Sequence, residues 1–331
     1  MKQATSISSP VVHLVGPGKL KVLNGRLAFT TGQGTPARLD VDHLQAVTCY
    51  GDVGITDEAF TVLFRQGVDV TWMSPQGARF RGRLTGLADR STLLRMLQHR
   101  AIADVRGKLE LARDVVCDKI RSQLDAAGHY RRHGSQTARR FLRRGNEFLA
   151  DAERADTVDI LRGLEGISSK CWFEVFGSLL KQPWSFPGRV RRPPTDPVNA
   201  LLSLGYTWLL NRMIAQLQAA GLEVNLGALH DYRPGRPSLA CDLIEPLRVP
   251  VVDRWVQKLC NCEMLAAGDF DRDQQRGVRL LREAFPRVLG WWEKDWQAKR
   301  VAVELDKRIQ RFCRRVRELA GGAEEQAAGD G

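Results

Sequence analysis

Between Val11 and about Leu87, apolar and polar positions alternate in short runs, VVHLV, KLKVL, RLAFTT, ARLDV and LQAVTCYGDV, each bounded by turn residues. A period of two marks half-buried strands. Asn24-Gly25 lies between two such runs and both residues tolerate positive φ, so the pattern predicts a tight hairpin there. Thr56 before DEAFTVLFRQG reads as the cap of a short helix, and VDVTWMS and ARFRGRL read as two more strands. From Ala88–Ser91 onward the period becomes 3.6, with Leu93, Leu94, Leu97, Ile102, Val105, Leu109 and Leu111 recurring along one expected helix from Ser91 to about Leu124. The fold class is therefore α+β, a small N-terminal β-rich domain (1–88) followed by a larger all-α domain (89–320). The last residues, 321–331, have the composition of a disordered tail.

Further along, TVDILRGLEGISSKCWFEVFGSLL places Leu161, Leu164, Trp172, Phe176 and Leu179 on an apolar side. Glu165 stands on or beside that side, just before Gly166, whereas Glu174 falls on a solvated face. The stretch 181–196, rich in Pro and Arg, predicts an irregular exposed loop. A helix capped near Asp196 or Asn199 follows and ends at Gly221, a glycine in the C′ position. His230 then closes an apolar run, and DYRPGRP breaks any helix. Ser238 is a natural N-cap for a helix in which Leu239, Leu243, Leu247 and Val251 form the buried stripe. Asp242 and Glu245, three apart, project from neighbouring positions of it. Two readings fit this stretch: a solvated acidic first turn favoured by the helix dipole, or a histidine and carboxylates gathered around a divalent ion such as Mn²⁺ or Mg²⁺. The second needs a distant third ligand.

Composition adds a partner class. There are 50 Lys and Arg against 38 Asp and Glu, a formal charge of +12, which suits a polyanion, nucleic acid before an anionic membrane, or simply a basic surface. No apolar run approaches the roughly 18 to 20 residues of a membrane span, and MKQATSISSP is no signal peptide, so a cytoplasmic protein with no membrane association is expected. Seven cysteines, an odd number, fit reduced thiols. In AGHYRRHGSQTARRFLRR, Arg139, Arg140, Arg143 and Arg144 with Tyr130, His129 and His133 suit phosphates and a stacked base, or equally an exposed helix face. Arg311, Arg314, Arg315 and Arg317 give the last helix a basic side, and Trp291, Trp292 and Trp296 share a core face. His13 and His43 are isolated. No phosphate-binding glycine loop and no Ser or Cys nucleophile motif is present.

The segments LRGLEGISSKCWFE, DPVNALLSLGYTWLL and LGALHDYRPGRPSLACDLIEPLRVPVVDRWV closely resemble the CRISPR-associated endonuclease and integrase of spacer acquisition, protein one of the CRISPR-associated set. The run AVTCYGDVGITDEAFTVLFRQGVDVTWMSPQGARFRGRL is similar to its β-domain. The resemblance implies metal ligands at Glu165, His230 and Glu245, with Asp242 as the accompanying acid and Mg²⁺ or Mn²⁺ as cofactor. It implies that a DNA 3′-hydroxyl attacks a phosphodiester so that captured DNA enters a CRISPR repeat array, and that water in its place gives hydrolysis. Dimerisation through the β-domain and assembly with CRISPR-associated protein two follow from the same resemblance. ISSKCWFE departs from the family's small-and-basic, then Tyr-Phe pattern. By charge alone, Arg139, Arg140, Arg143, Arg144, Arg189, Arg191, Arg192, Arg236 and Arg248 are the expected track for double-stranded DNA. An integrase of a mobile element with the same fold, or a non-catalytic DNA-binding scaffold, remains the alternative.

Overall fold

The alternating runs pair as their pattern requires. The computed structural model describes residues 6–7, 11–32, 34–42, 44, 46–75, 80–84, 92–273 and 277–329. In order, the first part holds β1 (Ser6–Ile7), β2 (Val11–Val15), β3 (Gly18–Leu23), β4 (Arg26–Thr30), β5 (Ala37–Leu39), β6 (Ala46–Tyr50), β7 (Val53–Ile55), α1 (Asp57–Arg65), β8 (Asp69–Met73) and β9 (Phe80–Leu84). Asn24 at φ 50 and Gly25 at φ 72 turn β3 back on β4 in the register Leu23↔Arg26. Both residues lie in the left-handed region that a tight hairpin needs. The strands form two sheets, in the orders β1-β5-β4-β3-β7 and β2-β6-β8-β9. Leu14, Leu20, Leu27, Val47 and Val70 meet Leu63 of α1 in one core. Thr56 caps α1 by accepting from the Ala59 amide at 3.3 Å. His13 pairs with Tyr50 through Nδ1 and the phenol oxygen at 3.0 Å; His43 lies outside the described residues.

The chain divides into two compact units, Met1–Asp89 with Leu281–Val288, and Arg90–Leu280 with Leu289–Gly331. The expected boundary at 88–91 lies outside the described residues. Leu281–Val288, expected in the helical part, joins the β-rich unit because Phe285 packs edge-on against Tyr50, ring centres 5.0 Å apart.

The second unit is helical: α2 (Thr92–Ala103), α3 (Val105–Arg132), α4 (Gln136–Arg154), α5 (Val158–Ser178), α6 (Pro197–Ala219), α7 (Ser238–Ile244), α8 (Arg254–Asn261), α9 (Phe285–Ala298) and α10 (Val301–Gly329), of which the start of α9 belongs to the first unit. A hairpin of β10 (Phe270–Asp273) and β11 (Gly277–Leu280) interrupts it. The single helix expected from 91 to 124 is two. Asp104 accepts from the Gly107 amide at 2.6 Å and so starts α3 afresh, which resets the helical phase and leaves Leu93 and Val105 exposed while Leu94, Ile102 and Leu111 are buried. The segment read as a disordered tail continues α10 to Gly329. Its Ala, Glu and Gln are good helix formers, and extending an existing helix needs no new nucleus. Asp196 caps α6, and Gly221 at φ 77 follows its end. Trp292 and Trp296 are buried with Trp208 and Trp255, while Trp291 is half-buried. Burial pushes the Cys49 and Cys260 thiols up to about 12, which leaves little thiolate at neutral pH. Among the described residues, no helix is long and apolar enough to cross a membrane.

Candidate active site

Helix α3 buries one stripe, Leu111, Ala112, Val115, Val116, Lys119, Ile120 and Gln123, against its neighbours. Lys119 is the charged member of that stripe, and its ammonium ends between two carboxylates. It donates to Glu165 Oε1 on α5 and to Glu245 Oε2 at 2.6 Å. Ser169, one turn beyond Glu165, donates to the same Glu165 oxygen at 3.0 Å. Arg248 pairs with the other Glu245 oxygen at 2.8 Å. Burial alone would raise the Glu245 carboxyl, but Arg248 and Lys119 outweigh it and hold the group at about 2. Glu245 is therefore ionised at neutral pH although only 2 % of it is exposed.

The backbone that carries Glu245 is irregular for a stated reason. Pro246 and Pro250 lack amide hydrogens and crowd the carbonyls four residues back. The helical run from Ser238 to Asn261 consequently tightens to a 3₁₀ turn over Glu245–Leu247 and widens to a π-helix over Arg248–Asp253 before α8 resumes. Ser238 is not the N-cap: Pro237 holds that position, and the Ser238 hydroxyl donates instead to the Asp231 carbonyl at 3.0 Å.

Asp242, three residues earlier on this run, has other partners, and its carboxylate, 1 % exposed, is filled by protein donors. Oδ2 accepts from the amides of Ala228 (2.7 Å) and Leu229 (3.0 Å), and Oδ1 accepts from the His230 amide at 3.1 Å and from His230 Nδ1 at 2.6 Å. With a carboxylate as partner, Nδ1 is the ring nitrogen that donates, and the contact fixes the orientation of the ring. A Cβ on Gly227 would sit 2.6 Å from Asp242 Oδ2 and 2.7 Å from the Ser238 carbonyl carbon, so only glycine lets this cradle close. The His230 loop is further pinned by Asp231, which pairs with Lys108 (3.0 Å) and Arg162 (2.6 Å). On its other side, Gln98 donates to the carbonyls of Glu223 and Leu226, both at 2.9 Å.

Behind Arg248 lies a second buried acid. Asp253 accepts from Trp172 Nε1 at 2.7 Å and from the Tyr206 hydroxyl; burial raises its carboxyl to about 6 in spite of both bonds. The Arg248 guanidinium lies 5.1 Å from the centre of the Tyr206 ring. Asp253, Tyr206 and Arg248 thus brace Glu245 from behind. Among the described residues, no three His, Cys, Asp or Glu side chains are drawn closely enough to cage a metal ion as they stand.

Residues 12–294 match the family described as CRISPR associated protein Cas1. The chain belongs to the Cas1 family. A CRISPR-associated endonuclease Cas1 from Thermus thermophilus is 36% identical over 250 residues, covering 76% of this chain and 73% of its own. A CAS1 protein from Thermotoga maritima superposes with a TM-score of 0.83 at 19% identity, over 93% of this chain and 97% of that one. A Cas6-RT-Cas1–Cas2 complex matches with a TM-score of 0.79 at 25% identity, over 96% of this chain and 36% of that chain.

Of the residues singled out in this Cas1 sequence, Glu165 and Glu245 meet at Lys119, and His230 meets Asp242. The expected basic track separates into two kinds. Arg139, Arg140, Arg143 and Arg144 on α4, and Arg191 and Arg192 in the loop before α6, are exposed, the Arg144 guanidinium lying 5.4 Å from the centre of the Phe148 ring, and Arg236 is half-buried. Arg189 is occupied by Asn199 (2.8 Å) and Ser203 (3.0 Å), and Arg248 by Glu245. The basic side of α10 is partly neutralised, because Arg311 pairs with Asp118 (2.9 Å) and Arg315 with Asp114 (3.0 Å). Sequence reasoning missed Lys119, Tyr206 and Asp253. The signal for Lys119 was a lysine inside the apolar stripe of α3.

Proposed function

We propose that this protein is a divalent-metal-dependent DNA endonuclease and integrase that inserts captured DNA into a CRISPR array, with Mg²⁺ or Mn²⁺ held by Glu165, His230 and Glu245. The observation that carries it is the gathering of Glu165 and Glu245 about one buried positive charge, with a histidine on the same segment whose Nδ1 is fixed by Asp242. The donor set fits the ion: carboxylate oxygens and one imidazole nitrogen suit Mg²⁺ or Mn²⁺ better than the thiolate sites zinc favours. The Lys119 ammonium stands where a cation between the two carboxylates belongs. A divalent ion bound there supplies Lewis-acid polarisation of the scissile phosphate and charge stabilisation at the leaving oxygen.

The chain's own residues prepare the rest. Arg248 keeps Glu245 ionised and turned toward Lys119, and Asp242 holds the imidazole in the tautomer that leaves Nε2 for a ligand. No protein nucleophile is required, because the attacking group is a DNA 3′-hydroxyl in strand transfer or water in cleavage. Nuclease chemistry is supported by the relative named as an endonuclease, and a Cas2 partner by the likeness to a Cas1–Cas2 assembly. Homodimerisation through the β-rich unit belongs to the same reading. The test is strand transfer of a 3′-hydroxyl end into a repeat-containing DNA, with and without Cas2, in Mn²⁺, Mg²⁺ or chelator. Glu165→Ala, His230→Ala and Glu245→Ala should each abolish the metal-dependent product. Parent-level product from all three contradicts the proposal.

A further inference from the structure

Lys119 is absent from any ligand set, yet it is 4 % exposed and joins the two acids that such a set requires. Arg248 already occupies Glu245 Oε1, so Oε2 is the oxygen left for a cation, and that is the atom Lys119 takes. On Glu165 it takes Oε1, which Ser169 also shares. A divalent ion held by the same two side chains would compete with the ammonium, above all for Glu245 Oε2, because one carboxylate oxygen cannot serve both at full strength.

We infer that Lys119 is the resident counter-cation of this site: it holds Glu165 and Glu245 together in the metal-free protein and is displaced from them when a divalent ion binds. The inference rests on the reading of Glu165 and Glu245 as metal ligands. Lys119 is then a positioning residue that sets how tightly metal is held. Without the ammonium, the half-buried Glu165 carboxylate and the buried Glu245 carboxylate lie near each other with no charge between them, which destabilises the metal-free fold. With it, each ion that binds must first replace an existing pair of charge-assisted bonds.

The experiment compares the full-length parent, Lys119→Met and Lys119→Arg by calorimetric titration with Mn²⁺ and by thermal melts in chelator and in saturating Mn²⁺. Lys119→Met should bind Mn²⁺ about tenfold more tightly than the parent, since a competing charge is gone. It should melt about 5 °C or more lower in chelator, with most of that loss recovered by Mn²⁺. Lys119→Arg should keep the parent's chelator melting temperature more nearly than Lys119→Met does. A second measurement needs only the parent protein: with ¹⁵N at the lysine Nζ atoms, an exchange-protected ammonium resonance assigned to Lys119 should disappear as Mg²⁺ saturates the site. If Lys119→Met fails to fold, that resonance decides alone. If the parent binds Mn²⁺ but Lys119→Met binds it equally or more weakly, or the protected resonance persists at saturating Mg²⁺, the inference is overturned and the metal reading stands. If the parent binds no Mn²⁺ at all, the metal reading fails and this inference with it.

Discussion

In the proposed metal site, Asp242 is the side chain that separates a ligand from its support. Four donors fill its two oxygens, three of them backbone amides, so little lone-pair capacity remains for a cation. Its work is to fix His230. Asp242→Asn retains the shape but loses the charge that holds the Nδ1 proton, and Mn²⁺ affinity by calorimetry should weaken about 10- to 100-fold with the far-UV circular dichroism unchanged. Asp253 gives a pH signature. Its carboxyl is raised by burial from 3.8 to about 6, so between those values the native state keeps a proton that the unfolded state has lost. Stability contributed by that proton is full below pH 4 and falls by about 3 kcal/mol as pH rises through 6. Urea melts from pH 4 to 7 should show this decline in the parent and lose it in Asp253→Asn. The sequence made His230, Asp242 and Glu245 legible because they sit on one interrupted segment. Lys119 and Asp253 were hidden because their partners come from other elements, and a lone lysine in an apolar stripe gives no hint of what it faces.

At the scale of elements, local chemistry decided most of what could be read. Caps and turns such as Thr56, Asn24-Gly25, Asp196 and Gly221 act through their own neighbours and appear where their residue types require. The failures arise where two local signals compete. Asp104 could continue a helix or cap one, and its bond to the Gly107 amide settled it as a cap. Pro246 and Pro250 could have ended the helix after Asp242, but packing on α6 retained it as a 3₁₀ turn and π-helix, with Gly205 so close to Val252 that a Cβ would lie 2.6 Å from its Cγ1. Gly227 is the matching close approach on the loop side. Gly227→Ala should cost about 1–3 kcal/mol in urea unfolding through overpacking of the Asp242 cradle, whereas an unchanged midpoint would mean that the cradle opens freely.

For the whole molecule, the net charge of +12 indicated a polyanion before any motif did, and the structure sorts the arginines behind it. Those on α4 reach solvent, while Arg189, Arg248, Arg311 and Arg315 are engaged by the protein itself. Replacing Arg139, Arg140, Arg143 and Arg144 by Ala should therefore weaken DNA binding and flatten the dependence of log K on log salt by about 0.9 for each phosphate that is no longer neutralised. The same substitutions at buried positions would act through stability instead. The α+β division was legible because hydrophobic period changes once and stays changed; the continuation of α10 was not, since composition alone does not say that a helix precedes it. What the fold does above all is carry Glu165 on α5 and Glu245 on the 3₁₀ turn to one point, with His230 held on the loop between α6 and α7. A crystal of the protein soaked in Mn²⁺ and measured at the manganese edge tests this most directly. One anomalous peak should appear per chain, within coordination distance of Glu165, His230 Nε2 and Glu245 and not of Asp242. A peak elsewhere, or ligation through Asp242 with Glu165 and Glu245 still closed on Lys119, would contradict it.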